Sequence, residues 1–144
     1  MFDRFNILCH MFSAMATETE GGAVESSSGL DENVAGALAY ILGIITGVLF
    51  LVMESDNKFV RFHAAQSIAL SIAFFVLYIV VMVIQFVLLF IPRVGFIVSG
   101  LFSLVWLVLW LGGVIVWLLM MYKAYNHEEY RLPVIGKIAA NMAS

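Results

Sequence analysis

The chain has 144 residues, of which 63% are hydrophobic and 12% charged, with a mean hydropathy of +1.04. A soluble domain is about half apolar and a quarter charged, so this chain lacks the polar surface to cover a core and needs lipid as part of its solvent. The net charge of −3 is concentrated in an acidic N-terminal tail (Asp3, Glu18, Glu20, Glu25, Asp31 and Glu32 against Arg4), which argues against nucleic acid and against anionic headgroups as that tail's partner.

Residues 1–16 sketch a signal peptide through Arg4 and Ala14-Met15-Ala16, but Asn6 and His10 interrupt the apolar run. A start at Met15 is the competing reading. The single Cys9 forms no intramolecular disulfide. Thr17–Gly29 is small, polar and acidic, so residues 1–30 read as a disordered tail. Asp31 then offers a helix N-cap.

Three uncharged apolar runs follow: Val34–Met53, Ala64–Ile91 ending at Pro92, and Val94–Tyr122. The first is 20 residues, about 30 Å as a helix, which matches one bilayer core. Continuous runs of this length predict helices and not barrel strands. The expected fold is an all-α membrane protein. It is a bundle of three transmembrane helices at about 34–53, 58–91 and 94–125. The membrane domain covers 31–139, and 140–144 is a C-terminal end.

Lys58, Arg61, Lys123, Arg131 and Lys137 fall on one side of a three-span topology, and Arg4 and Arg93 on the other. The positive-inside rule then puts the C-terminus in the cytoplasm and the N-terminus outside a plasma membrane.

Small residues recur every fourth position at Ala35, Ala39, Gly43 and Gly47, and again at Ala65, Ala69 and Ala73. Such faces let helix backbones approach closely in lipid. Packing within one chain is the expected use, and a homo-oligomer seam the other. Trp106, Trp110, Gly113 and Trp117 make a stripe on the last span, read as bulky packing or lipid contact.

The entrance to the second span, FVRFHAAQSIAL at Phe59–Leu70, is polar where apolar residues are expected. At 100° per residue, His63, Gln66, Ser67 and Leu70 share one arc, while Arg61 points nearly the opposite way. Asp56 or Ser55 would cap this helix. On the same predicted side stands KAYNHEEYRLPVIGKIA, with Tyr125, Asn126, Glu128, Glu129, Tyr130, Pro133 and Gly136. Arg61 is expected to pair with Glu128 or Glu129, clamping the two segments together at the interface.

These two segments carry a resemblance over roughly Asp31–Ala139. The RFHAxQS and YRLPxxG elements resemble a widespread family of small prokaryotic membrane proteins of unknown function. That family is similar to the twenty-kilodalton subunit of the chloroplast inner-envelope import translocon, which is described with four spans. The resemblance implies a translocon-like accessory class and carries over no catalytic residues.

No HExxH, Walker loop, GxGxxG, CxxC or Ser/His/Asp set is present, and no span has a charge at its midpoint. The expectation is a non-catalytic structural or accessory subunit, with no cofactor or metal, the bilayer as partner, and a membrane-protein complex or homo-oligomer as its setting. The runner-up is an oligomeric channel or small-solute transporter with His63, Gln66 and Gln85 along its path.

Overall fold

The computed structural model describes residues 26–144; the signal-like segment and the tail up to residue 25 lie outside the described residues. Five helices follow in order: α1 Glu32–Leu38, α2 Ile44–Met53, α3 Lys58–Leu89, α4 Gly95–Tyr125 and α5 Ile135–Ala143.

Two of them, α3 and α4, are long and apolar enough to cross a membrane. Each is about 47 Å long at 1.5 Å per residue. They run antiparallel, with Trp106 beside Gln85 and Tyr78, and Gly113 beside Phe74. Their shared half is bare. No residue of the most apolar stretch of α3 is buried, and Phe75, Phe86, Phe96 and Val108 stand open. Apolar surface of that extent is stable only against another apolar phase, and lipid supplies it. The Phe90–Val94 connection turns sharply because Pro92 cannot continue a helix and Arg93 takes a φ of 69°.

The predicted first span is not one helix. Val34–Met53 is divided between α1 and α2 by a break at Ala39–Gly43, where Gly43 adopts a φ of 59° that an L side chain rarely accepts. The two halves run in opposite directions along α3. Glu32 at the start of α1 bonds Asn57, just before α3. Tyr40 reaches His63, and Gly43 lies against Ser71. The chain then returns: Gly47 packs on Ala64 and Ile68, and Glu54 ends beside Arg61. The segment is therefore a helical hairpin. It reaches about 20 Å along α3, from Lys58 to Ser71, and comes back out at the same end. Where three spans were expected, the described residues thus form two helices of spanning length and one helical hairpin.

The difference carries to topology. Glu32 sits 3.1 Å from His127, so the start of α1 and the end of α4 share one end of the molecule. The three-span reading had put the start of the first helix and the C-terminal segment at opposite ends.

A second dip follows α4. Tyr130 meets Gln66, Leu132 and Ile135 pack with Leu70, and α5 then runs back until Ala143 meets Arg61. Pro133, Val134 and Ile135 form the reversal: Ile135 N donates to Pro133 O at 2.9 Å across Val134, whose φ is 69° and ψ −59°. That is a γ-turn with a β-branched residue in a strained conformation. Gly136 fits next to it because a Cβ there would lie 2.9 Å from Arg131 Cβ. Residues 140–143 of the expected C-terminal end thus belong to α5.

The two hairpins and the end of α4 surround the first third of α3. Phe59, Val60 and every residue from Phe62 to Leu70 are buried, while α3 beyond Ser71 is largely uncovered. The core therefore sits at one end. Ala35, Ala39, Phe50, Phe59, Val60 and Ala64 form one cluster, and Tyr40, Leu70, Met120 and Ala124 a second. The small-residue stripes serve this packing within the chain. Ala65 faces Ala139 of α5, Ala69 lies near the same helix, and Ala73 is exposed.

Candidate functional site

Irregular backbone at membrane depth is tolerated only where its carbonyls find donors. At the break in the first hairpin side chains supply such donors. Thr46 Oγ1 donates to Ala39 O at 2.9 Å, Trp117 Nε1 to Tyr40 O at 2.6 Å, and Ser67 Oγ to Gly43 O at 3.1 Å. The second dip is held the same way, by Gln66 Nε2 on Tyr130 O at 3.0 Å. The polar face predicted on α3 is real, and its Ser67 and Gln66 are donors to the flanking chain. Trp117 was read as bulk; its indole N–H is what the tip of the hairpin uses.

Arg61 points away from that face, as helical geometry expects, but its partners differ from the expected acids. Its Nη1 donates to Glu54 O at 2.9 Å and Leu51 O at 3.4 Å, and its Nε to Ala143 O at 3.2 Å. These carbonyls belong to the C-terminal ends of α2 and α5. Helix C-termini carry unpaired carbonyls and partial negative charge, which a fixed cation neutralises. Glu128 instead pairs with Lys123, and Glu129 with Arg131 at 3.6 Å. Carboxylates on a solvated turn have nearer cations and stay outside; Arg61 lies lower, where the open acceptors are backbone.

His63 is buried, with Tyr40 Oη 3.2 Å from its Nδ1 and Phe59 packed edge-on at 4.5 Å. Its Nε2, and Gln66 Oε1 one turn further along α3, have no hydrogen-bond partner among the described residues. Gln85, half-buried between the long helices, accepts from Trp106 Nε1 at 2.8 Å.

The mouth of the first hairpin is closed by residues outside the expected Arg61 clamp. His127 stacks on Phe59 at 4.4 Å, sets Nε2 3.1 Å from Glu32 Oε1 and Nδ1 2.6 Å from Asn33 Oδ1. Asn57 donates to the same Glu32 carboxylate at 2.9 Å while its Oδ1 accepts Val60 N at 3.1 Å. Asn57, and not Asp56 or Ser55, is therefore the cap of α3. An Asn three residues ahead of Val60 was a legible signal. Asp31 stands at the N-cap position of α1 without a side-chain bond. Tyr125 is exposed, and Asn126 Nδ2 donates to Tyr122 O at 2.9 Å.

Glu54 anchors the residues ahead of α1. Its carboxylate accepts Ser27 N at 2.8 Å and Ser28 N at 3.1 Å, so 26–30, expected in the disordered tail, form a docked turn. Burial raises this carboxyl, but the hydrogen bonds from Ser27 and Ser28 outweigh it and hold it below the usual carboxylate range. A depressed folded-state value means that docking is favoured above the unfolded-state pKa and lost as pH falls through the folded one. Protection of the Ser27 and Ser28 amides from hydrogen exchange, relative to their intrinsic rates, is expected at neutral pH and to be lost at acid pH as the carboxylate is protonated. Glu54→Gln is expected to remove that pH dependence.

Among the described residues no group of three His, Cys, Asp or Glu is placed to hold a metal. The arrangement is a clasp: side chains of α3 and α4 hold two irregular chain reversals by their carbonyls.

A UPF0132 membrane protein of Methanocaldococcus jannaschii is 45% identical to the chain over 115 residues, covering 80% of this chain and 91% of that protein. One of Archaeoglobus fulgidus is 46% identical over 110 residues, covering 76% and 93%. A second M. jannaschii relative is 38% identical over 111 residues, covering 77% and 69%. No solved structure matches the chain. The family match takes in residues 30–139, the first hairpin, both long helices and the start of α5, and by it the chain belongs to the magnetosome magnetite crystal formation protein family.

Proposed function

We propose that the protein is a non-catalytic membrane subunit, an accessory or assembly component of a larger membrane complex such as a translocation machinery. One observation carries this reading. Arg61, Gln66 and Ser67, the polar residues that made the α3 entrance look like a site, donate to backbone carbonyls of the two hairpins. Groups committed to holding backbone are poor general acids, bases or ligands. Mild-detergent affinity purification with mass spectrometry tests it. Stoichiometric co-purifying membrane partners are expected, and a bare monomer would overturn the reading.

The two open atoms, His63 Nε2 and Gln66 Oε1, favour the second reading, a channel or small-solute transporter. Liposomes holding the purified chain alone separate the two: an accessory subunit leaves a tracer inside, and a transporter releases it.

The hairpin end carries Lys58, Arg61, Lys123, Arg131 and Lys137 against Arg93 at the α3–α4 turn. That bias supports the plasma membrane with the hairpin end, and so both Ser26 and Ser144, on the cytoplasmic side. In a Cys9→Ser background, an impermeant maleimide added to intact cells is expected to label Arg93→Cys and to spare Ser55→Cys and Asn126→Cys. Labelling of Ser28→Cys but not of Ser55→Cys would mean that the hairpin is a true span.

A further inference from the structure

We infer that the cleft between the start of α3 and the end of α5 binds the headgroup of an anionic phospholipid. The cleft is open, about 770 Å³, and gathers Lys58, Arg61 and Arg131. Its acids are Asp56, bonded by Ser55 Oγ at 3.0 Å, and Glu129, which shares Arg131 at 3.6 Å, and Ser144 lines it as well.

Arg61 gives the cleft a fixed cation. Its Nε and Nη1 are tied to three carbonyls on two helices, and its Nη2 bonds no described residue. A guanidinium so held keeps two N–H groups in a set direction at no further ordering cost, the arrangement that suits phosphate oxygens. Arg131 is steadied over the Phe62 ring at 5.5 Å, and Lys58 is exposed at the first position of α3.

The depth fits a lipid. Arg61 holds the carbonyl of Leu51, whose neighbour Val52 is 78% exposed. Ile138 and Met142, on the helix that forms the other wall, also face outward and line an apolar groove with Ile72 and Val76. Apolar residues that face lipid thus flank the cations at the level where headgroups lie. The apolar groove beyond them is open to acyl chains. This assignment is independent of the accessory-subunit reading, since a transporter could carry the same site.

Native mass spectrometry of the full chain in mild detergent tests it, with phosphatidylglycerol, phosphatidylcholine and inorganic phosphate as separate probes. One phosphatidylglycerol is expected to be retained about tenfold more tightly than phosphatidylcholine, with retention falling as salt rises. The Lys58→Gln/Arg131→Gln double variant, which leaves Arg61 and its carbonyls intact, is expected to lose that preference. Lys123→Gln, away from the cleft, is expected to keep it. Equal retention of the two lipids, an unchanged preference in the double variant, or inorganic phosphate competing at concentrations comparable to the lipid's would overturn the assignment.

Discussion

Arg61→Ala is expected to lower the stability of the protein by about 3 kcal/mol, more than any other single polar substitution at the hairpin end. Bonds from a charged donor contribute about 1.5–3 kcal/mol each in soluble proteins, and interhelical bonds in membranes less. Arg61 makes two of ordinary length, to Glu54 O and Ala143 O, and a longer one to Leu51 O. Removing it frees the C-terminal ends of α2 and α5 together, so both loosen. Arg61→Lys is expected to recover less than half of the loss. A single ammonium cannot reach carbonyls on two separate helices in the fork geometry that a guanidinium offers. Reversible unfolding in mixed micelles gives the energies, and hydrogen exchange of α2 and α5 gives the location. An Arg61→Ala variant as stable as the parent would show that the ends of the two helices are held by other means. The Arg61–Glu129 charge swap, in contrast, is expected to rescue nothing, because that pair does not meet.

Gly47→Leu is expected to expel the first hairpin from α3. A Cβ at Gly47 would lie 2.8 Å from Ile68 Cγ1 and 2.9 Å from the Ala64 carbonyl oxygen. The second neighbour is backbone inside a buried helix and cannot turn aside. Overpacking of this kind costs about 1–3 kcal/mol, and Leu adds three more carbons to the clash. The matched control is Gly100→Ala. Nothing lies within 4 Å of a Cβ there, and the site is mid-helix in α4. That substitution is expected to be neutral or to stabilise by up to about 1 kcal/mol. Hydrogen exchange of α2 in the Gly47→Leu background reads whether the hairpin has left α3. Equal stability of Gly47→Leu and Gly100→Ala would mean that α2 does not rest on α3.

Much of this molecule was legible in its residues. Uncharged runs of 28 and 29 residues separated by Pro92-Arg93 could only be long apolar helices, and α3 and α4 begin and end within two residues of their predicted bounds. The division of FVRFHAAQSIAL into two faces follows from 100° per residue, and it holds: Arg61 faces the ends of α2 and α5, while His63, Gln66 and Ser67 face inward. The close packing of Gly47 was implied by its small neighbours every fourth residue.

The tertiary structure alone decided that Val34–Met53 turns back. Twenty apolar residues have the length of a span whether they cross or bend, and periodicity does not separate the two. The deciding groups lie far away in sequence. Ser67 is 24 residues from Gly43, and Trp117 is 77 from Tyr40, yet both supply the donors that make a broken helix tolerable beside lipid. The partner of Arg61 was beyond sequence reasoning for a related reason. Side chains declare their charge in the sequence, and the expectation went to the nearest acids. Backbone carbonyls are present at every residue, so only the fold shows which of them are left open, and here the open ones are at Leu51, Glu54 and Ala143.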